Sequence, residues 1–511
     1  MSLDNTEIEK LNIATKTKLG TTQVKTTANI NVVDNLKITK VLTVDAKPRI
    51  ENISVNSSEV KFDGVVDYDL LVVLENESIV PLTQKSNFSQ VFENAAITAD
   101  SVINIYSDVI ELKDISSSNE IAYSSTILFD IYLISQNSEV CCAKPVDNVF
   151  VKEGEVLYNS FVNNIVYDGM VNFEIVKDSK INKVLYINNF ASIKSVIPSN
   201  DYFVVSGEVY SSIIFQSEDG EVKSLTKTST FSEEIECVGV TKESIIQAQI
   251  KTKESTIVEN SEKAIFSFDT PIKILAQIYN KSMVKCVVDA YSLKNEINLT
   301  TTSFEEDEFI STRQLEENLL TNFSIADNVP IVDKILAVTP INISLVNQIV
   351  KNGELILEGI ANINLIYYFE DEDGQNILNS LDIELPYSLN VSVSDIKEND
   401  RVVTQIVLGD INIKNKRGKE LEILAEIKVN YDVIKNNISA VTTQILIGEE
   451  KLQKDYSLEI YLAKENQSLW DVAKELNIST SDLVSQNADL TLPLTKGEKI
   501  ISFKQRTIDF D

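Results

Sequence analysis

The stretch VKFDGVVDYDLLVV, from Val60 to Val73, alternates apolar and polar residues around one glycine, Gly64, and ends in an apolar run. Alternation with a period of two is typical of a β-strand with one buried face. Two later stretches have the same character, FVVSGEVYSSIIF around Gly207 and LILEGIANINLIYY around Gly359. We therefore interpret the three stretches as corresponding strands of one recurring β module.

Each of these strands follows a similar segment at a nearly constant distance. The segments are KVLTVDAKPRI from Lys40, KVLYINNFASI from Lys183 and KILAVTPINIS from Lys334. The offsets from lysine to glycine are 64−40=24, 207−183=24 and 359−334=25. A further matched pair, LTQKSNFSQVFE from Leu82 and LTKTSTFSEEIE from Leu225, lies 18 residues after its glycine in both places. Constant offsets between independent anchors indicate a triplicated domain.

The predicted fold class is mainly β, because short apolar runs are separated by Asn, Asp, Ser and Gly. We expect three tandem antiparallel β-sandwich or barrel-like repeats, over 25–140, 155–290 and 315–440. The charged run FEEDEF (Phe304–Phe309) is interpreted as a solvated connection between the second and third repeats, and a further join is placed around Lys435–Asp455. The glycines inside the strands indicate β-bulges or close backbone approach, or else sites that a neighbouring aromatic ring covers. The sequence leaves both alternatives open.

The composition restricts the function. The chain of 511 residues carries 46 Lys+Arg against 77 Asp+Glu, a net charge of −31, which disfavours nucleic acid and anionic membrane surfaces as partners. It contains no histidine, so Ser-His-Asp and Cys-His catalysis and histidine-ligated metals are excluded. Enzymes that use carboxylates or lysine stay compatible with the composition, but the lack of histidine disfavours an enzyme, and we expect no cofactor or metal.

The four cysteines, two of them adjacent (Cys141 and Cys142), form no CxxC motif. We expect reduced thiols in a cytosolic compartment. The first residues, MSLDNTEIEK, lack the basic start and apolar core of a signal peptide. No uninterrupted apolar run reaches spanning length, so we expect no membrane insertion.

The pattern changes from strand to helix in NQSLWDVAKELNISTSDLVSQN, from Asn466 to Asn487. Four apolar residues fall on one face of a first short helix: Leu469, Val472, Ala473 and Leu476. Ser468 with Asp471 has the spacing of a capping box, and Ser479 with Asp482 can cap a second helix. Asn477 is placed to end the first helix in a left-handed turn. With the strands SLEIYLA and EKIISF on either side, the region 457–505 is predicted to be a small βααβ domain.

The stretch from Tyr461 to Phe503 resembles a LysM domain. The residues that carry the resemblance are Ser468, Leu469, Trp470, Ala473, Leu483, Asn487 and Gly497. Two loops depart from the family pattern, which has Gly-Asp where this chain has Asn466-Gln467 and Asn-Pro where it has Asn487-Ala488. Because these loops form the glycan groove of LysM domains that bind peptidoglycan or chitin, the departures weaken the expectation of sugar binding.

Trp470 is the only tryptophan, and it lies one position off the apolar face of its helix. We expect it to flank the core, to remain partly exposed and to turn its indole edge outward, with Lys474 close enough to cover the ring. It either seals the helix against the sheet or anchors a partner protein, since partly exposed tryptophans are common hot spots. From Leu458 to Arg506, six basic and seven acidic residues give 6−7=−1, so this end of the chain repels another acidic protein least.

The whole layout resembles the SipL-type spore-coat morphogenesis family, in which SPOCS domains precede a C-terminal LysM domain. The resemblance implies a non-enzymatic adaptor in the mother-cell cytoplasm, at the surface of the forespore. It also implies that the LysM domain binds stage IV sporulation protein A, the ATPase of the basement layer of the coat, and that the β repeats contact other coat proteins. The partner-binding residues that follow are Ser468, Leu469, Trp470, Lys474 and Asn487.

Two other functions are compatible with parts of the sequence. A LysM protein could bind peptidoglycan of the spore cortex, in which case the β repeats extend from a sugar-binding end. A glycosidase with paired carboxylates could lie within the repeats. Triplication disfavours the glycosidase, because no copy carries an evident acid pair that the others lack.

Overall fold

A computed structural model of the chain describes residues 8–11, 13–30, 36–117, 120–137, 141–176, 181–260, 265–394, 396–416, 419–452, 458–490 and 492–503. The strands pair antiparallel throughout this part of the chain, and the prediction of a mainly β protein is confirmed. The elements are β1 (Ile8–Lys10), β2 (Ile13–Ile30), β3 (Ile38–Asn56), β4 (Glu59–Leu74), β5 (Ile79–Glu93), β6 (Val102–Asp114), β7 (Ile121–Asn137), β8 (Cys141–Ala143), β9 (Phe150–Val176), β10 (Ile181–Pro198), β11 (Tyr202–Ser217), β12 (Val222–Glu236), β13 (Ile245–Thr252), β14 (Thr256–Asn260), β15 (Ile265–Tyr291), β16 (Asn295–Ser324), β17 (Lys334–Lys351), β18 (Glu354–Glu370), β19 (Asn376–Ser392), β20 (Arg401–Asn415), β21 (Glu420–Glu450), β22 (Leu458–Leu462), α1 (Leu469–Leu476), α2 (Thr480–Gln486) and β23 (Lys499–Phe503).

Most strands fall into three groups, each built from two sheets. The first sheets have the orders β3-β4-β5, β10-β11-β12 and β17-β18-β19. The second sheets have the orders β2-β7-β6, β9-β15-β13 and β16-β21-β20, and β14 also pairs with β15. We call β2–β7, β9–β15 and β16–β21 the first, second and third groups. Buried apolar side chains from both sheets of a group pack together, so each group is a β-sandwich with its own core.

The three glycine-centred strands occupy the same position in their sheets. Gly64, Gly207 and Gly359 lie in the central strands β4, β11 and β18. Each glycine pairs on one side with an aliphatic residue that adjoins a β-bulge, and on the other side with an aromatic residue. The three sets are Ile50–Gly64–Phe88, Ile193–Gly207–Phe231 and Leu345–Gly359–Tyr387.

Both alternatives for these glycines hold at once. A Cβ at Gly207 would lie 2.1 Å from the carbonyl oxygen of Ser192 and 2.6 Å from the ring of Phe231. The same pair of contacts, a bulged backbone carbonyl and a covering aromatic ring, surrounds Gly64 and Gly359. Only glycine leaves room for the bulge and the ring together, which explains why it recurs at a fixed distance from each lysine anchor.

The three groups close into a ring. Strand β5 of the first group contacts β10 of the second, β12 of the second contacts β17 of the third, and β19 of the third returns to β3 of the first. One apolar cluster joins the three first sheets, and its buried members come from equivalent strands: Leu42, Leu71, Leu185, Tyr186, Ile214, Val222, Leu336, Ala337 and Ile366. Burial of this cluster away from water stabilises the closed arrangement.

Paired strands from all three groups continue beyond the sandwiches into a common stalk. Strands β9 and β15 stay paired out to Phe150 and Tyr291, and β16 and β21 stay paired out to Asn295 and Glu450. From Ile278 to Tyr291 is 291−278=13 residues, and at about 3.3 Å per residue the extension is about 40 Å long. Buried side chains inside the stalk include Leu11, Ile13, Cys142, Val284, Cys286, Phe304 and Val441.

A buried polar cluster lies among the second sheets of the three groups. Arg401 donates from Nη2 to Asp307 Oδ2 at 2.8 Å, and the Lys16 ammonium lies 3.3 Å from Tyr106 Oη and 3.4 Å from Gln247 Oε1. Burial lowers the pKa of Lys16 to about 8, although Asp432 and Asp307 act in the opposite direction. The closed ring therefore holds a cation that it has largely removed from water.

Two predicted connections are wrong. The segment Phe304–Phe309 is not a solvated linker but the middle of the 30-residue strand β16, paired along its length with β21. Residues 435–450 of the second predicted join belong to β21, while 453–457 lie outside the described residues. Charge led to the first error, because Asp307, one of its acidic residues, is buried against Arg401.

Candidate functional site

The C-terminal module, residues 458–503, has the order β22-α1-α2-β23, and its two strands pair antiparallel with each other. Val472, Ala473 and Leu476 of α1 are buried with Leu483 of α2 and Ile500 of β23, in a core that Tyr291 at the end of the stalk also joins. The spacing of apolar residues along α1 thus predicted its buried face correctly. No helix among the described residues is long and apolar enough to cross a membrane.

The predicted helix caps are confirmed. Ser468 Oγ accepts from the backbone N–H of Asp471 at 3.3 Å, and the Ser468 N–H donates to Asp471 Oδ2 at 2.9 Å, which completes a capping box. Asn477 ends α1 in the left-handed conformation with φ of 52°. Ser479 Oγ accepts from the N–H of Asp482 at 3.0 Å and caps α2. These local signals set where both helices begin and where the first ends.

Trp470 is half-buried, but its indole nitrogen does not face outward. Its Nε1–H donates to Asp289 Oδ2 at 2.7 Å, and Asp289 lies on β15 in the stalk. Lys474, predicted to cover the indole, ion-pairs with the other oxygen of Asp289 at 2.5 Å. The prediction of an outward indole edge is therefore wrong for the nitrogen edge. We call the arrangement of Asp289, Trp470 and Lys474 the clasp.

Hydrogen bonding explains the charge state of the clasp. Burial opposes ionisation of Asp289, but the hydrogen bonds from Lys474 and Trp470 outweigh it and hold the pKa of this carboxyl below its ordinary value. A carboxylate that accepts from an indole and an ammonium together makes two charge-assisted bonds. The carboxyl group of Asp289 in the clasp is therefore ionised at neutral pH.

Further contacts fasten the module to the end of the stalk. The ring of Tyr291 lies edge-on to Trp470 with 4.9 Å between centroids, and its hydroxyl donates to the carbonyl of Ile478 at 2.8 Å. Phe150 stacks on the other side of Tyr291 at 5.1 Å. Asn477 donates from Nδ2 to the carbonyl of Leu293 at 2.9 Å. Trp470 thus seals an interface between two parts of the same chain.

The remaining predicted partner residues have roles inside the module. Ser468 caps α1, and Leu469 packs against the module core. Asn487 donates to the carbonyls of Leu483 at 2.9 Å and Ile501 at 2.6 Å, and its Oδ1 accepts from the Ile501 N–H at 2.7 Å. Asn487 therefore ties α2 to β23.

The module has an exposed apolar surface that the sequence reasoning missed. Leu458, Ile460 and Leu462 alternate along β22 and are 51%, 54% and 60% exposed. Phe503, 52% exposed, pairs with Leu458 on the neighbouring strand, and Ile501 pairs with Ile460. The period-two pattern in LEIYL could have predicted a row of apolar side chains on one face of β22. It could not have shown which face of the sheet the helices cover. We call these five residues the outer face.

No group of three or more Asp, Glu or Cys residues within the described ranges is placed to hold a metal ion. Three carboxylates in or near the module make contacts within the chain: Asp289 in the clasp, Asp471 in the cap of α1, and Glu475 with Lys464 and Tyr461. An apolar face on a nearly neutral module is instead typical of a protein-binding surface.

Replacing Asp289 with alanine is expected to loosen the module on the stalk. The variant loses both charge-assisted hydrogen bonds, and at this half-exposed position we expect a loss of about 1–2 kcal/mol from the contact. Because Trp470 is the only tryptophan, its fluorescence reports directly on the clasp, and its emission should move to longer wavelength. Hydrogen exchange in α1 should also become faster.

The matched control is Glu465→Ala, which removes an exposed ion pair with Lys496 in the same module but away from Trp470. It should leave the emission unchanged. Equal spectra for Asp289→Ala and the unmodified chain would mean that the indole has no stable partner on β15.

The comparisons with known proteins relate one part of the chain to a family. Residues 332–416, from two residues before β17 to one residue after β20, match the family model described as SipL, SPOCS domain. This match relates the third group to sporulation proteins. Neither a curated protein nor a solved structure matches the chain.

Proposed function

We propose that the protein is a non-enzymatic adaptor of spore coat assembly, working in the mother-cell cytoplasm at the forespore surface. The observation that carries the proposal is the SPOCS match over 332–416, within a group whose strand order and glycine register recur in the other two groups. In this proposal all three groups are SPOCS repeats, and the βααβ module is a LysM domain.

The proposed partner of the module is stage IV sporulation protein A, the coat ATPase, and other coat proteins are proposed to contact the groups. Two features favour a protein over a glycan as the ligand of the module. The first is the outer face, where four large apolar side chains are about half exposed. The second is the loop residue Gln467, whose amide is bonded to Tyr461 and Glu475 rather than facing open space. Peptidoglycan of the cortex remains the alternative ligand.

The clasp changes the surface on which we place the contact. Asp289 and Tyr291 cover one side of Trp470. We therefore place the contact with the partner on the outer face, which lies on β22 and β23. Trp470 and Lys474 then act indirectly, by fixing the module to the stalk. If the partner instead opens the clasp, the indole itself becomes part of the interface.

Substitution of the outer face separates these possibilities. We expect Ile460→Arg to weaken binding of the ATPase by at least about 30-fold, since hot-spot residues contribute roughly 2 kcal/mol or more. Trp470→Glu should also weaken binding, because it breaks the clasp. The measurement is co-purification and titration of the full-length chain, both variants and a chain that ends at 452 with the purified ATPase.

Val484→Arg is the matched control, because Val484 is an exposed apolar residue of the same module but lies on α2. It should bind as well as the unmodified chain. Undiminished binding by the chain that ends at 452 would refute a role for the module. Strong retention on purified peptidoglycan, with no binding of the ATPase, would favour the cortex-binding alternative.

A further inference from the structure

A groove between the first and second groups differs in charge from the rest of the molecule. It has a volume of about 690 Å³ and is lined by strands β3 to β6 of the first group and by β9, β13 and β15 of the second. Six lining residues are basic: Lys47, Arg49, Lys85, Lys251, Lys253 and Lys273. Four are acidic: Glu51, Asp67, Asp69 and Glu254. The balance is 6−4=+2, within a chain whose net charge is −31.

Two of these lysines face each other, and neither forms an ion pair among the described residues. Lys251 on β13 and Lys273 on β15 are directly opposite in an antiparallel pair, where like charges destabilise a sheet. The Lys251 ammonium donates only to the Ser107 carbonyl at 2.7 Å and to Ser107 Oγ at 3.0 Å. Among the described residues, neither lysine has a carboxylate oxygen within 4.0 Å. Burial lowers the pKa of Lys251, and Lys273 lowers it further, although the charge of Asp108 acts in the opposite direction.

Lys428 in the third group occupies the position that corresponds to Lys273, and it contacts carboxylates that Lys273 lacks. Lys428 on β21 pairs with Glu316 across the sheet, just as Lys273 pairs with Asp168. The Lys428 ammonium lies 3.1 Å from Glu316, 3.4 Å from Glu426 and 3.7 Å from Glu208. Glu208 comes from the neighbouring second group, so one group supplies a carboxylate to the lysine of the next.

None of these three carboxylates has an equivalent that serves Lys273. Glu208 follows Gly207, whereas Val65 follows Gly64 in the corresponding strand of the first group. Pro271 stands two residues before Lys273, where Glu426 stands before Lys428. Asp168, in the place of Glu316, pairs with Lys253 at 2.7 Å instead. The groove between the first and second groups thus has a lysine, Lys273, at the position of Lys428. It lacks equivalents of the three carboxylates that contact Lys428.

We propose that this groove binds an extended acidic segment of a partner protein, with one carboxylate placed between Lys251 and Lys273. The equivalent position at Lys428 is filled by glutamate side chains, which identifies a carboxylate as the fitting anion. The groove is far larger than one ion needs, and exposed apolar residues such as Ile53 and Val166 line it beside the cations. A polypeptide satisfies both the charge and the apolar surface. The site is separate from the module and does not depend on its ligand.

The test uses the full-length chain with acetylated tetraglutamate amide as the probe and tetraglutamine amide as the neutral comparison, in isothermal titration at low salt. We expect the glutamate peptide to bind and the glutamine peptide not to bind. The double variant Lys251→Met/Lys273→Met should lower its affinity by at least about tenfold. Lys285→Met, on the same strand but in the stalk, is the control and should leave the affinity unchanged.

Val65→Glu provides a second and independent variant. It places a carboxylate where Glu208 stands in the next group, and it should fill the site from within the chain. We expect it to weaken peptide binding by a similar factor while the thermal unfolding midpoint stays equal or rises. If the peptide fails to bind, or binds all variants equally, the proposal is overturned. Inorganic phosphate that binds to the same lysines while the peptide does not would also overturn the polypeptide assignment.

Discussion

Replacing Gly207 with alanine is expected to prevent the second group from reaching its native fold. The new Cβ would lie 2.1 Å from the carbonyl oxygen of Ser192, a backbone atom in the paired strand, and 2.6 Å from the Phe231 ring. Neither neighbour is the free end of a flexible side chain, so relief requires the bulge in β10 to open. We expect a loss of at least about 3 kcal/mol, above the ordinary cost of an overpacked core. The thermal unfolding midpoint and the yield of folded protein measure it.

Gly409→Ala is the matched control for this substitution. Gly409 also lies inside a strand, β20, and its nearest neighbour is the carboxylate end of Glu426, which can rotate away. The expected loss is below about 1 kcal/mol. Similar melting of the two variants would mean that glycine at 207 reflects backbone preference rather than the bulge and the ring. Alanine at Gly64 or Gly359 should behave like alanine at 207, because the contacts are the same.

The strands that carry these glycines could be predicted because their signal is local. Alternation in VKFDGVVDYDLLVV places one side chain in two toward the core, and the structure follows it through Phe62, Gly64, Val66 and Tyr68. The helix caps at Ser468 and Ser479 are equally local, since each joins residues three apart. Such features depend on residues that lie close together in the sequence, so the sequence alone is enough to predict them.

The ring and the stalk could not be predicted in the same way. Their contacts join strands hundreds of residues apart, such as β19 and β3, and no local pattern encodes which groups meet. The charge run at Phe304–Phe309 indicated solvent, but a partner on β20 that is distant in sequence pairs with its Asp307 and keeps it inside. Burial of a charge is decided by the partner, and the partner is visible only once the chain is folded.

In the candidate site, too, the features set by neighbouring residues could be predicted, and the contacts between distant residues could not. The sequence identified the module and the half-buried position of Trp470, both of which follow from helical periodicity. It missed the clasp, because Asp289 stands in VVDAYS as a single acid in an apolar strand and nothing marks it as a ligand for an indole 181 residues later. The amide of Asn487 joins α2 to β23, and the role of this residue in binding a partner stays a prediction. Trp470 has an intramolecular contact in the structure, and its role in binding a partner stays a prediction.

Replacing Asp307 with alanine is expected to destabilise the junction of all three groups. Asp307 is 7% exposed, and its Oδ2 accepts from Arg401 Nη2 at 2.8 Å and from the Lys16 backbone N–H at 3.3 Å. Breaking a buried ion pair by removing one partner costs about 3–5 kcal/mol, and we expect about 2–3 kcal/mol here because Arg401 is partly exposed. Asp168→Ala, which removes an exposed ion pair with Lys253, should cost less than about 1 kcal/mol.

The pH dependence of unfolding gives this prediction a second readout. The pKa of Lys16 is about 8 in the folded chain against an ordinary value of 10.5, so the unfolded chain binds more protons between these values. The contribution of Lys16 therefore destabilises the fold below pH 8, and this penalty is relieved as the pH rises toward 10.5. Asp307 is one of the charges that raise the pKa of Lys16, so Asp307→Ala should lower it further and extend the rise in stability to lower pH. Parallel pH curves for the variant and the unmodified chain would show that Asp307 and the Lys16 ammonium are not coupled, and the cost of the substitution would then come from the lost bonds to Arg401 and to the Lys16 backbone.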